Sequence, residues 1–165
     1  MNRLGESQLE IYRLARSATL DAIEALGPHR EVMDVRSLSS TDRRSFHTKV
    51  AGPAALLVAK AHKIQERLGV KSRERSKDAY DVYRLLRGFK TTILAERFRL
   101  LLADERAALV TDEALRFLRE LFVDAKSPGV DLIREHVGDG ALADPEFIAG
   151  ACRDLITRLL VELQR

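Results

Sequence analysis

Cysteine is nearly absent from this 165-residue chain: Cys152 stands alone, which excludes an internal disulfide framework and any multi-cysteine zinc site. The four histidines add no metal site, because His29, His47, His62 and His136 fall at no ligand spacing. Long apolar runs are also missing. Met1 to Gly5 lead directly into a charged amphipathic segment with no secretory h-region, and nothing approaches the ~20 apolar residues of a membrane span. Three phosphate or nucleophile motifs are absent as well: no GxGxxG, no GxxxxGK[ST] and no GxSxG, so Rossmann, P-loop and hydrolase readings fall away.

With 45% apolar, 32% charged and 5% aromatic residues, what is present has the composition of one soluble globular domain spanning 1–165. At this length folding removes roughly 68–70% of the unfolded chain's surface, enough for a core without staples. A reducing cytoplasm is the expected location. The net charge of +3 permits an anionic partner without arguing for one. Its distribution says more: Lys71 to Lys77 (KSRERSK) is strongly basic, whereas Asp104 to Asp154 is mixed and somewhat acidic. A polyanion is expected to meet the middle of the chain.

Periodicity predicts a mostly helical α+β fold. Ser7 and Glu10 form a capping-box pattern, and Ile11, Leu14, Ala18, Ala22 and Ala25 recur at helical spacing up to Gly27-Pro28. Glu31 to Arg36 and Ser45 to Val50 read as two short strands paired in a hairpin. Such a ribbon is marginal alone, so it either packs on the first helices or is the edge of a larger sheet. Pro53 then opens a helix to Leu68 with the stripe Ala54, Leu57, Ala61, Ile64 and Leu68. A loop over Val70 to Lys77 leads to a second helix, capped by Ser76 and ending at Gly88, with Asp78 in its first turn. Further helices are expected at about Thr92–Ala103, Thr111–Asp124, Val130–Val137 and Pro145–Leu163, the last capped by Asp144. The chain divides by content into a helix plus hairpin (1–50), a charged helix pair (51–88) and a C-terminal bundle (89–165).

Two constellations carry possible chemistry. At 100° per residue Lys60, Lys63 and Arg67 lie within about 60° of one another, in a basic row flanking the apolar stripe. Such a row suits a groove wall that holds phosphates; the bland alternative is long cations snorkelling from a core boundary. Asp78 and Asp81, three residues apart, share one helix face. They can bind a divalent metal, act as a general base or orient the lysine row, or simply form an acidic surface with an Asp-to-Arg pair. Tyr80 and Tyr83 read as core-edge aromatics, and Cys152 as an inert core thiol.

VAGPAALLVAKAHKIQERL (Val50 to Leu68) followed by SKDAYDVYRLL (Ser76 to Leu86) resembles the C-terminal half of AbiEii/AbiGii-type nucleotidyltransferase-like toxins, including MenT-type proteins. The resemblance spans roughly Glu31 to Leu86. It implies a polymerase-β-like nucleotidyltransferase fold in which a lysine contacts a nucleotide's triphosphate and a later aspartate supports it. Lys63 or Lys60 takes the lysine role, Arg67 assists, Asp78 takes the aspartate role and Asp81 is a further candidate. Catalytic Lys63 and Asp78, with Lys60, Lys63, Arg67 and Asp81 for the nucleotide, are the residues so implied. The cofactors implied are Mg2+ and a nucleoside triphosphate; the partners are a cognate antitoxin or other protein, tRNA, or a second copy of the chain.

The family's Gly-Ser turn and Asp-x-Asp pair, which hold its metals, have no counterpart here. There is no Gly-Ser dipeptide, and the one Asp-x-Glu, Asp144-Pro145-Glu146, is expected to open a helix. Asp34 on the first strand could be a remaining third carboxylate, but one acid cannot hold two metals. Three readings follow: an enzyme completed by an upstream or partner-supplied metal-binding lobe and acting on tRNA or other RNA; a degenerate enzyme that still binds a nucleotide or partner; or a non-catalytic helical interaction module. Whether the chain is an enzyme stays open at the level of sequence, and alone it is expected to be inactive.

Overall fold

The computed structural model describes residues 30–39, 41–69, 73–140 and 143–165. The helix expected over Ser7 to Ala25 lies outside these residues. Two strands come first, β1 (Arg30–Arg36) and β2 (Ser45–Ala51), followed by α1 (Pro53–Glu66), α2 (Arg73–Gly88), α3 (Thr91–Ala103), α4 (Ala108–Phe122), α5 (Pro128–Gly140) and α6 (Pro145–Leu163). The mostly helical α+β expectation is met, with a small two-stranded antiparallel hairpin ahead of the helices.

The hairpin pairs Arg30 with Ala51 and Arg36 with Ser45. Since side chains alternate across a strand, one face carries Glu31, Met33, Val35, Phe46, Thr48 and Val50, and the other Arg30, Val32, Asp34, His47 and Lys49. Neither face is covered by the described helices: Val32, Met33, Val35 and Phe46 are all exposed. The ribbon meets the helices at its base, where Glu31 pairs with Arg97 of α3 at 3.1 Å. There Gly52, Pro53, Leu100 and Leu101 line a small cleft of about 180 Å³.

Helix starts follow local chemistry. Pro53 opens α1, with Leu56 N–H donating to the Gly52 carbonyl at 2.9 Å. Asp144 caps α6 by accepting from Glu146 N–H at 2.9 Å. Two starts differ from expectation. Helix α2 begins at Arg73 rather than at a Ser76 cap, because Arg73-Glu74-Arg75 are themselves good helix formers; Ser76 is buried inside the helix, and Asp78 is not in its first turn. Helix α4 begins at Ala108 rather than Thr111, because an Asp104 turn, with Arg106 N–H on Asp104 Oδ1 and Ala108 N–H on the Asp104 carbonyl, feeds the chain into it early.

The helices share one core, and α6 lies against α2, α3, α4 and α5. Leu57 and Ile64 of α1, Phe98 of α3, Leu118 and Phe122 of α4, Ile133 of α5 and Ile156 of α6 are fully buried. Burying one such side chain contributes about 1.5–3 kcal/mol. For the site, the consequence is that α1 is held by α2, α3 and α4, so its outer edge has a fixed position against α2.

Candidate functional site

Apolar contacts set the geometry of the charged groups. The Leu57, Ala61 and Ile64 stripe of α1 packs inward, and Ala79, Val82 and Leu86 of α2 do the same. The remaining faces of the two helices meet along a seam. Lys60, Lys63 and Arg67 line its α1 side and Asp78 and Asp81 its α2 side.

Asp78 is the centre of this seam. Its residue is 3% exposed, and its carboxylate accepts from Lys60 Nζ at 2.6 Å and from Lys63 Nζ at 3.2 Å, both on Oδ1. Oδ2 has Lys63 Nζ at 3.0 Å and Arg67 at 3.5 Å as charge neighbours, but no well-aligned hydrogen bond reaches it, so on that side the contact is an ion pair. Asp81 Oδ2 accepts from Lys60 Nζ at 2.8 Å, and its Oδ1 lies 3.6 Å from Arg84. Asp78 is buried against the three cations, which keep the partial exposure of long side chains at a core boundary, and Asp81 also makes the Asp-to-Arg pair with Arg84.

The lysines are not sealed off. Their side chains keep 24% and 35% exposure at Lys60 and Lys63, and Arg67 keeps 33%. Burial works to lower the Lys60 pKa, but the hydrogen bonds to Asp78 and Asp81, together with their charges, outweigh it and hold the ammonium above the ordinary 10.5. Lys60 is therefore a fixed cation at neutral pH. An ammonium carries three donors, so Lys63, engaged with one carboxylate, has capacity for a further acceptor.

Beside this cluster is an open groove of about 340 Å³, lined by Leu56, Lys60, Asp81, Arg84, Leu85 and Phe89. In the sequence Arg84 reads only as a surface partner of an aspartate and Leu85 as part of the apolar pattern of its helix, while Leu56 and Phe89 stand out in neither way. The Asp81-x-x-Arg84 spacing was a usable signal for Arg84. None existed for Phe89, since an aromatic just after a helix end reads as core.

The other sequence candidates fall elsewhere. Asp34 lies on the polar hairpin face and accepts from Arg36 Nε at 2.8 Å, away from the seam. His62 is a core histidine, bonded to the Val110 carbonyl at 2.8 Å and edge-on to the Phe117 ring. Tyr83 is buried, and Tyr80 stacks against His136 with ring centroids 5.0 Å apart. Glu146 is tied to Arg134 at 2.7 Å. Cys152 is buried, which pushes its thiol up to about 12. Among the described residues no group of three or more His, Cys, Asp or Glu side chains could hold a metal. Asp78 and Asp81 are themselves surrounded by cations, so these residues do not fit a catalytic magnesium site.

No curated protein and no solved structure matches the chain. A family model does, over residues 16–147, described as nucleotidyl transferase AbiEii toxin of a type IV toxin–antitoxin system. The matched span takes in the hairpin, the charged seam and most of the helical bundle. This chain belongs to the AbiEii nucleotidyltransferase toxin family and is a nucleotidyltransferase-like toxin–antitoxin protein.

Proposed function

We propose that the α1–α2 seam binds the phosphates of a nucleoside triphosphate, with Lys63 and Lys60 as the phosphate contacts, Arg67 assisting and Asp78 and Asp81 positioning the cations. One observation carries the reading: Lys60, Lys63, Arg67 and Arg84 crowd around two carboxylates, and two of these cations, Lys60 and Arg84, line an adjoining open groove. Stability does not account for the arrangement. A buried ion network is often matched or exceeded by apolar residues of the same volume, and most other buried positions of α1 and α2 are apolar, His62 and Ser76 excepted. A lysine is a mobile point charge suited to phosphate, and a buried carboxylate limits its wandering.

The reaction the family points to is nucleotide transfer to RNA, with tRNA as the acceptor class, inside the cell's cytoplasm and alongside an antitoxin. The described residues supply no magnesium carboxylates, so transfer draws those ligands from outside them. The described residues alone therefore bind and do not transfer.

Titration of the chain with inorganic tripolyphosphate and with ATP tests the binding. Measurable binding that weakens steeply with salt is expected, and Lys63→Glu should remove at least tenfold of it, with circular dichroism showing an intact fold. Unchanged affinity in Lys63→Glu and Lys60→Glu refutes the site. Labelled-nucleotide transfer to total tRNA with magnesium and this chain alone should give no product; robust incorporation refutes the incomplete-site reading.

A further inference from the structure

We propose that the apolar end of the groove, formed by Leu56, Leu85 and Phe89, receives the base of the nucleotide whose phosphates the lysine row holds. This rests on the phosphate reading above and adds a recognition surface to it.

Along the two helices the seam is a ladder that changes character. Leu56, Lys60, Lys63 and Arg67 follow one another at helical spacing on one edge of α1. On α2 the ladder runs the opposite way: Asp78 meets Lys60, Lys63 and Arg67, Asp81 meets Lys60, and Leu85 and Phe89 share the groove with Leu56. One end is cationic and the other apolar. Seven residues at 1.5 Å each place Lys63 about 10 Å along α1 from Leu56, on the order of an extended nucleotide from its base to its outer phosphates. The groove volume, about 340 Å³, lies within the ordinary range of small-ligand pockets.

Exposure points the same way. Phe89 is 41% and Leu56 38% exposed, although both sit beside a well-formed core. Phe89 follows Gly88, the last residue of α2, so it stands outside the helix, next to the groove. An aromatic face open to solvent next to fixed cations fits a planar, anionic-tailed ligand, because the ring stacks on the base while the cations take the phosphates. Arg84, whose side chain is 68% exposed on the same groove, adds a planar guanidinium that can stack or donate to a base edge. A purely phosphate-binding surface has no use for the apolar half.

The chain has no tryptophan, so Phe89→Trp installs a single reporter at the groove. Competition titrations of the full chain compare inorganic tripolyphosphate with ATP, GTP, CTP and UTP. At least one triphosphate nucleotide should bind about tenfold more tightly than tripolyphosphate, the scale of one base–aromatic contact. Phe89→Ala should remove that advantage and leave tripolyphosphate affinity unchanged. Phe89→Trp should keep it, with fluorescence quenched by the nucleotide and not by tripolyphosphate. Tripolyphosphate binding with no advantage for any nucleotide, or an advantage that survives Phe89→Ala, overturns this proposal alone. Failure of tripolyphosphate and all four nucleotides to bind overturns the phosphate reading and this proposal together.

Discussion

Asp78 shows why the identity of single residues matters more here than their number. A carboxylate 3% exposed costs several kcal/mol to desolvate, and only the three α1 cations make its burial tolerable. Removing the charge while keeping the shape takes from Lys63 and Arg67 the carboxylate they share and leaves Lys60 with Asp81 alone. Asp78→Asn is expected to lower unfolding stability by about 3–5 kcal/mol in urea, and Asp81→Asn, with a side chain 22% exposed, by about 1 kcal/mol or less. Equal costs would contradict the central position of Asp78.

Because the Lys60 pKa is raised above 10.5, its paired charge contributes fully below that value and is lost as pH climbs through the folded pKa. The stability difference between wild type and Lys60→Met should thus be level to about pH 9 and narrow by about pH 11. Cys152 adds a separate alkaline loss: its thiol moves from 9.0 to about 12 on burial, so the unfolded chain ionises first and stability falls between those values. In native buffer at about pH 8 a thiol reagent should label Cys152 only at the rate of global unfolding; rapid labelling would show that the thiol is accessible.

At the scale of elements, the bundle depends on close approaches that propensity does not report. Gly129 lies in the first turn of α5, and a Cβ there would sit 2.6 Å from the Leu121 carbonyl oxygen and 2.7 Å from the ring of buried Phe122. Alanine is the better helix former by about 1 kcal/mol, but backbone and a fully packed ring cannot yield. Gly129→Ala should therefore destabilise by about 1–3 kcal/mol. Gly150, on the exposed side of α6, has nothing within 4 Å of its Cβ position, and Gly150→Ala should stabilise by about 0.5–1 kcal/mol. Thermal midpoints of the two variants should move in opposite directions; a shift of the same sign in both would refute the packing argument.

For the whole molecule the unusual feature is the hairpin. Both outer strand edges are unpaired among the described residues, and Met33, Val35 and Phe46 expose apolar surface on one face. Unpaired edges are templates for another strand, and identical hairpins carry complementary edges, which favours a second copy of this chain as the occupant. Sedimentation velocity should show self-association that grows with concentration, and Val35→Lys with Phe46→Lys should abolish it. A clean monomer at high concentration would refute it. The small cleft at the hairpin's base, bridged by Glu31 and Arg97, places the ribbon beside α3 rather than on the α1–α2 groove.

Local pattern determined much of this protein. The strands, the Pro53 and Pro145 helix starts, the apolar stripes and the single basic row were legible because each depends on residues within a few turns of one another. The same is true of the family, read from VAGPAALLVAKAHKIQERL and SKDAYDVYRLL. What local pattern misplaced were the starts of α2 and α4, where Ser76 and Thr111 look like boundaries but are buried by packing against other helices. Only the tertiary structure decided which carboxylate meets which cation, because that depends on how α2 folds back along α1. It also decided that Phe89 faces a groove instead of the core, since the direction of a side chain beyond a helix end is set by the neighbouring helices and not by its own sequence.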